Sequence, residues 1–358
     1  MPSAPDRTID SSQLSTGKKV AFTLVLTVLS LAAITIAGEL VLRWLEPPVP
    51  TSSGSIVRRT GEPDKQYELL PNSAGVLAGA PVSIDSLGCR DREYTRAKPP
   101  GVIRIVGIGD SLTFGQGVTE PDTYLARLEN DLAARHLPVE VINCGVFGYN
   151  VIEEARRFEE VVDTLDPDIV TIGYELGDIL QNPPLNTDAP AVAQADAGRP
   201  RIVERRSLVE SLKSSRVVTF LAYRYSFLLK KFNLRNWDSL YASDNPLWQT
   251  LSAKYAGMAK TANAKHVDLL VAIVPELSNL DDRYPFRSVH ERVAALCQSL
   301  GIQTVDLLAA FNGQDGPSLW VHPQDRHPNA QGHQIIEGAL IEPVSALVNA
   351  RMHHAADR

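Results

Sequence analysis

Ser111 stands in the stretch VIRIVGIGDSLTFGQG, Val102 to Gly117. Residues Val102 to Ile108 form a short, nearly continuous β-branched run that stops at glycine, the pattern of a strand buried on both faces of a parallel sheet. The hydroxyl therefore falls just past the C-terminal edge of a sheet. In open α/β sheets that edge is where ligands bind, and a serine on the turn leaving a strand can expose its oxygen to a substrate. A phosphate cradle fits the same glycines less well. Counted from Gly107, the third glycine of GxGxxG would fall at Leu112, and no Gly-Lys-Ser/Thr follows. The nucleophile-elbow pattern GxSxG also fails, because Thr113 occupies its second glycine.

A second group of reactive residue types lies in PQDRHPNAQGH, Pro323 to His333. Asp325 and His327 are two apart, and Pro328 keeps the histidine extended and out of a helix. A histidine held by a carboxylate is what a serine nucleophile requires, because the imidazole takes the hydroxyl proton while the carboxylate fixes its tautomer. Taken alone, the pair reads equally as a capping turn or a surface ion pair. His322 and His333 are weaker candidates, with His333 read as helix packing or capping. No grouping of His and carboxylate with metal-ligand spacing is visible, so neither a metal nor another cofactor is expected, and a metal-dependent phosphoesterase is disfavoured.

The elements that must position these residues alternate along the chain. After the serine loop, helical spacing runs from Pro121 to Arg135, a buried strand from Val139 to Ile142, a helix from about Ile152 to Leu165 and a strand from Ile169 to Tyr174. The pattern resumes with a helix near Pro246 to Ala262, a strand His266 to Val274, a helix Val289 to Leu300, a strand Ile302 to Leu307 and a final helix from Ala330 to about Ala350. Strands separated by helices predict right-handed βαβ units on a parallel sheet. Residues 182–245 interrupt this rhythm as an insertion, with a helical aromatic stretch from Leu208 to Phe232 that reads as a lid over an apolar substrate or as plain packing.

Before the sheet, Lys18-Lys19 leads into an uncharged apolar run from Val20 to Gly38, about 19 residues, enough for a helix to cross a bilayer. An uncleaved anchor over 18–46 is favoured over a cleavable signal peptide, whose apolar stretch is shorter, about 7–15 residues. Arg7, Lys18 and Lys19 then place the tail 1–17 in the cytoplasm and the remainder in the periplasm or outside. Trp44 suits the outer interface. Residues 47–66 read as a linker and 67–100 as an N-terminal cap, in which Gly88-Cys89-Arg90-Asp91-Arg92 reads as a surface turn held by charges, with reach to the active face as the alternative. The end of the chain, 351–358, reads as a tail. A net charge of −7 and a pI near 5.7 exclude a general nucleic-acid footprint. Three widely spaced cysteines, Cys89, Cys144 and Cys297, indicate no disulfide framework, and Cys144 reads as a small buried hydrophobe.

In Gly109-Asp110-Ser111-Leu112, Asn143 to Gly148, Gly173 to Asp178 and Asp325 to His327 with Pro-Asn, the chain resembles the SGNH, or GDSL, hydrolases. The blocks follow the family's order from about Val102 to Val348. The resemblance implies a flavodoxin-like three-layer α/β/α sandwich with a central parallel sheet over 67–350, preceded here by one N-terminal transmembrane helix, and hydrolysis or transfer of an acyl group through a serine ester. It implies Ser111 as nucleophile, His327 as base, Asp325 as its orienter, and the backbone amides of Ser111 and Gly148 as oxyanion donors. Two positions depart from the pattern. The family's Asp-x-x-His spacing would put the acid at Gln324, and the block-three asparagine, a side-chain oxyanion donor, is replaced by Gly177. Loss of one such donor typically costs about 10²–10³ in turnover. Asn182 or a water would have to stand in for that donor. The implied partner is an acyl-ester substrate, glycan or lipid, with the membrane engaged through the first helix.

Overall fold

The computed structural model describes residues 16–45, 56–180, 217–218, 237–323 and 325–356. The chain divides into two compact units: Met1–Pro48 with Arg201–Leu228, and Val49–Pro200 with Leu229–Arg358. In the first unit, α1 spans Thr16–Leu45, and its stretch Thr16–Val41 is long and apolar enough to cross a membrane, with none of its most apolar window buried inside the protein. The hydroxyls of Thr23, Thr27 and Thr35 donate to carbonyls one turn back, Lys19, Thr23 and Leu31, so these polar groups are satisfied within the helix itself. Most of the expected insertion and its aromatic helix lies outside the described residues, as does the side chain of Trp44.

The second unit is a three-layer α/β/α sandwich. It begins with two hairpins, β1 (Val57–Glu62) with β2 (Lys65–Leu69) and β3 (Ser73–Leu77) with β4 (Ala80–Ile84). The expected linker 47–66 therefore stops short, since the first hairpin starts at Val57 behind a fully buried Ile56. The Pro, Ser, Thr and Gly content that suggests a linker extends into β1, whose Arg58, Arg59 and Glu62 stay exposed in a two-stranded hairpin.

The central sheet uses β5 (Ile103–Gly109), β6 (Val139–Asn143), β7 (Ile169–Tyr174), β8 (Asp268–Ile273) and β9 (Gln303–Asp306), all parallel, in the order β6-β5-β7-β8-β9. That is the doubly wound order in which the chain reverses direction between its first and third strands, and the crevice at their carboxyl ends is the binding position of such sheets. Every residue of β5 and β7 is buried, as strands covered on both faces must be. The flanking helices are α3 (Tyr124–Ala134), α4 (Val151–Leu165), α5 (Pro246–Lys265), α6 (Arg287–Ser299) and α8 (Ala330–Ala356), with α3 packed on α8 and α4 on α5. Short α2 (Ser111–Phe114) and α7 (Leu308–Phe311) are single turns, and β10 (Trp320–His322) pairs antiparallel with β11 (Asp325–Pro328). The final helix runs to Ala356, so most of the expected tail 351–358 is helical.

Candidate active site

Ser111 opens α2 directly after β5, and its burial comes from how closely that turn sits on the sheet. Gly109 and Gly173 are register partners on β5 and β7. A Cβ on either would stand within 2.3 Å of Thr113 Oγ1, so two side-chain-free positions admit the turn to the sheet edge. Asp110 caps the turn, its Oδ1 accepting from the Leu112 amide at 2.9 Å.

His327 arrives on β11. Strand geometry puts residues two apart on one face, and Asp325 and His327 therefore touch. Asp325 Oδ1 accepts from His327 Nδ1 and also from the His327 backbone amide, while Gln116 Nε2 donates to Asp325 Oδ2 at 3.2 Å. With its Nδ1 proton held by Asp325, the ring offers Nε2 as an acceptor to Ser111 Oγ, 2.7 Å away. Asp110 Oδ2 is a longer alternative acceptor for the same hydroxyl, at 3.2 Å. Burial pulls the His327 pKa down, but the hydrogen bond and charge of Asp325, with Asp110 and Glu175 behind, outweigh it and leave the value above the ordinary histidine range. Burial pushes Asp325 up, and its bonds to His327 and Gln116 bring it below the usual carboxylate range. The arrangement can move a proton from Ser111 to His327 and stabilise the resulting imidazolium.

The remaining sequence-derived candidates fall as follows. Gly148 lies on the loop after β6 with φ +78, where a Cβ would meet the Tyr67 hydroxyl at 2.6 Å. Gly177 lies in the turn after β7. His322 sits on β10 opposite Asp325 in the ladder. His333 is away from this chemistry: it is fully buried, stacks on Tyr124 and accepts from the Tyr124 amide, and burial drops its pKa to about 3.

The GDSL-like lipase/acylhydrolase family model matches residues 108–335, from the serine turn through the histidine. The chain belongs to this family. No curated protein matches the sequence. Among solved structures, the GDSL domain is similar to TesA (14% identity, TM-score 0.43, covering 68% of this chain and 99% of that one). It is also similar to LAE5, an alpha/beta hydrolase from the metagenome of Lake Arreo, Spain (17%, 0.43, 69% and 96%), and to a catalytic mutant of the acetylxylan esterase Axe2 from Geobacillus stearothermophilus (16%, 0.43, 69% and 95%).

Three features of this GDSL acylhydrolase were not expected. Cys89 and Cys144 form a disulfide, whereas the sequence indicated no framework and read Cys144 as a lone hydrophobe. Separated by 55 residues, the two meet because the 88–92 segment runs beside the end of β6, with the Arg90 amide donating to Asn143 O and the Asn143 amide to Asp91 Oδ2. The same segment takes the alternative reading, reach to the active face, rather than that of a surface turn, with only Arg92 of its charged residues exposed. Arg90 is 1% exposed, and its guanidinium donates to the carbonyls of Phe114, Gly115 and Val118, the loop that follows Ser111.

The third feature is a cluster of acids. Carboxylate oxygens of Asp110, Glu175 and Asp178 lie within 4.8 Å of one another, although no spacing in the sequence groups them. They accept from nearby amides, Leu112 N on Asp110, Gly177 N on Glu175 and Glu175 N on Asp178, and Asp110 also lies within reach of the Ser111 hydroxyl. Behind them Glu154 of α4 is fully buried, and among the described residues neither carboxyl oxygen has a hydrogen-bond partner. Burial, followed by the charges of Asp110 and Glu153, raises its pKa well above the usual range. The folded protein thus binds a proton that the unfolded chain releases, and stability falls as pH rises above the ordinary carboxylate range. Thermal midpoints measured from pH 5 to 8 are expected to decline in the wild type and to decline less in Glu154→Gln, where up to about 1.4 kcal/mol per pH unit of linkage is removed. Equal slopes for the two proteins would disprove a protonated Glu154.

Proposed function

We propose that this GDSL-family protein is a membrane-anchored, extracytoplasmic serine esterase or acyltransferase, with Ser111 as nucleophile, His327 as general base and Asp325 as its orienter. The observation that carries the reading is the 2.7 Å contact from His327 Nε2 to Ser111 Oγ, with Asp325 bonded to the opposite ring nitrogen. The backbone amides of Ser111 and Gly148 are assigned to the oxyanion. The apolar α1 and the basic residues before it support an anchor with its N-terminus in the cytoplasm. The Cys89–Cys144 disulfide supports the same topology, since such bonds persist in oxidising compartments. That topology makes an acetyl ester on an envelope glycan the first substrate class, with a lipid ester second.

Gly177 favours one other reading, an envelope binding or assembly component that has kept the fold and lost efficient chemistry. Labelling of the detergent-solubilised full chain by a fluorophosphonate separates the two, because the probe needs an activated serine and no knowledge of the substrate. Labelling of the wild type and its loss in Ser111→Ala and His327→Ala is the expected result. A folded wild type that does not label would move the binding reading ahead.

A further inference from the structure

Position 177 has no side chain, yet the space beside it is filled. A Cβ built on Gly177 would stand 2.3 Å from Glu175 Oε1, so the Glu175 carboxyl lies where a side chain at 177 would begin. It is held there from its own turn: Oε1 accepts from the Gly177 amide at 3.2 Å, and the Glu175 amide donates to Asp178 Oδ2 at 2.7 Å. Tyr241 braces the turn by donating to Leu176 O at 2.9 Å. Among the described residues nothing hydrogen-bonds Glu175 Oε2. The residue is half-buried and follows β7, while Ser111 follows β5, so the two flank the crevice of the sheet.

We propose that Glu175, as a neutral carboxylic acid, supplies the side-chain oxyanion donor that Gly177 lacks. This rests on the serine-esterase reading above. As Ser111 Oγ bonds to the ester carbon, its proton passes to His327 Nε2 and the carbonyl electron pair moves onto oxygen; the Glu175 O–H donates to that oxygen without giving up its proton. When the carbonyl re-forms, the leaving alkoxide takes the proton from His327.

The surroundings favour the neutral form. Asp110 faces Glu175 from the serine turn, Asp178 from its own turn, Glu154 from α4 and Glu276 from the loop after β8, with His327 on β11 as the opposing cation and Tyr241 and Tyr284 nearby. Glu276 is itself paired with Arg326. Crowded carboxyls cannot all ionise, and burial followed by the charge of Asp110 pushes Glu175 up to about 7. Because His327 must be neutral while Glu175 is protonated, the active state carries one proton across the pair, and kcat/KM is bell-shaped with two macroscopic pKa values.

The test is p-nitrophenyl acetate hydrolysis by the full-length protein in detergent, for wild type, Glu175→Ala, Glu175→Gln, Gly177→Asn and Glu175→Ala/Gly177→Asn. Glu175→Ala is expected to lose about 10²–10³ in kcat with KM little changed. Glu175→Gln, whose amide donates without titrating, is expected to stay within about tenfold of wild type and to lose the alkaline limb of the pH profile. Gly177→Asn alone meets the Glu175 carboxyl and gains nothing, whereas combined with Glu175→Ala it recovers at least tenfold over the alanine variant. Glu175→Ala with wild-type kcat, or Glu175→Gln as impaired as alanine with the bell retained, would overturn the assignment. A wild type without Ser111-dependent turnover would instead overturn the esterase reading on which it stands.

Discussion

Replacing His327 with alanine is expected to lower Ser111-dependent ester turnover by about 10⁶-fold, and Asp325→Asn by about 10⁴-fold. The inequality follows from where the two groups touch. In the proposed mechanism His327 is the base at Ser111 Oγ, 2.7 Å away, and Asp110 Oδ2, the alternative acceptor for the same proton, is farther at 3.2 Å and makes a poor substitute. Asp325 acts through the ring: an asparagine there offers an amide N–H to Nδ1, favours the wrong tautomer, and leaves the imidazolium without its counter-charge. The pH profile carries a second signature. Asp325 is the main group raising the His327 pKa against burial, so the acid limb of kcat/KM in the wild type lies above the ordinary histidine value. In Asp325→Asn that limb moves to lower pH while the plateau drops. Stopped-flow acylation with a p-nitrophenyl ester across pH 5 to 9 measures both. A His327→Ala protein acylating within tenfold of wild type would end the role assigned to it.

The fold was legible because its strands are written as buried runs. Val102 to Ile108 and Ile169 to Tyr174 are apolar at nearly every position, and glycines at their ends mark where a turn must approach the sheet. The contact of Asp325 with His327 could also be anticipated, since spacing of two followed by proline fits one face of an extended segment. What could not be read is what only tertiary proximity makes. Cys89 and Cys144 look like unrelated residues until the 88–92 segment is laid along β6. Arg90 sits among Asp91, Arg92 and Glu93, so local composition argued for water, although its own side chain points inward. Glu175 gave even less warning. It lies at the end of a strand, and its relation to Asp110 depends on β5 and β7 being neighbours in the sheet.

Arg90 also sets the second large effect. Its guanidinium is buried with no carboxylate bonded to it among the described residues, and burial lowers its pKa only to about 10, so it remains a cation at neutral pH. Besides a long bond to Pro81 O at 3.4 Å, that charge is compensated by the carbonyls of Phe114, Gly115 and Val118 and by the face of the Phe114 ring, 4.8 Å from the guanidinium carbon. Those carbonyls belong to the loop that carries Gln116, the donor to Asp325. Arg90→Met would strip these carbonyls of their charged donor, leaving Phe114 O only the Asn143 side-chain amide and Gly115 O only the Val118 amide, and a destabilisation of about 3–5 kcal/mol is expected. Arg90→Lys, with one ammonium in place of a fork, reaches fewer of them and should fall between. If the contacts only hold the fold, both variants melt earlier while the folded fraction acylates normally. If they also set the position of the serine turn, as the shared loop implies, acylation in folded Arg90→Lys slows by tenfold or more, and comparing melting with single-turnover labelling of Ser111 decides between these outcomes.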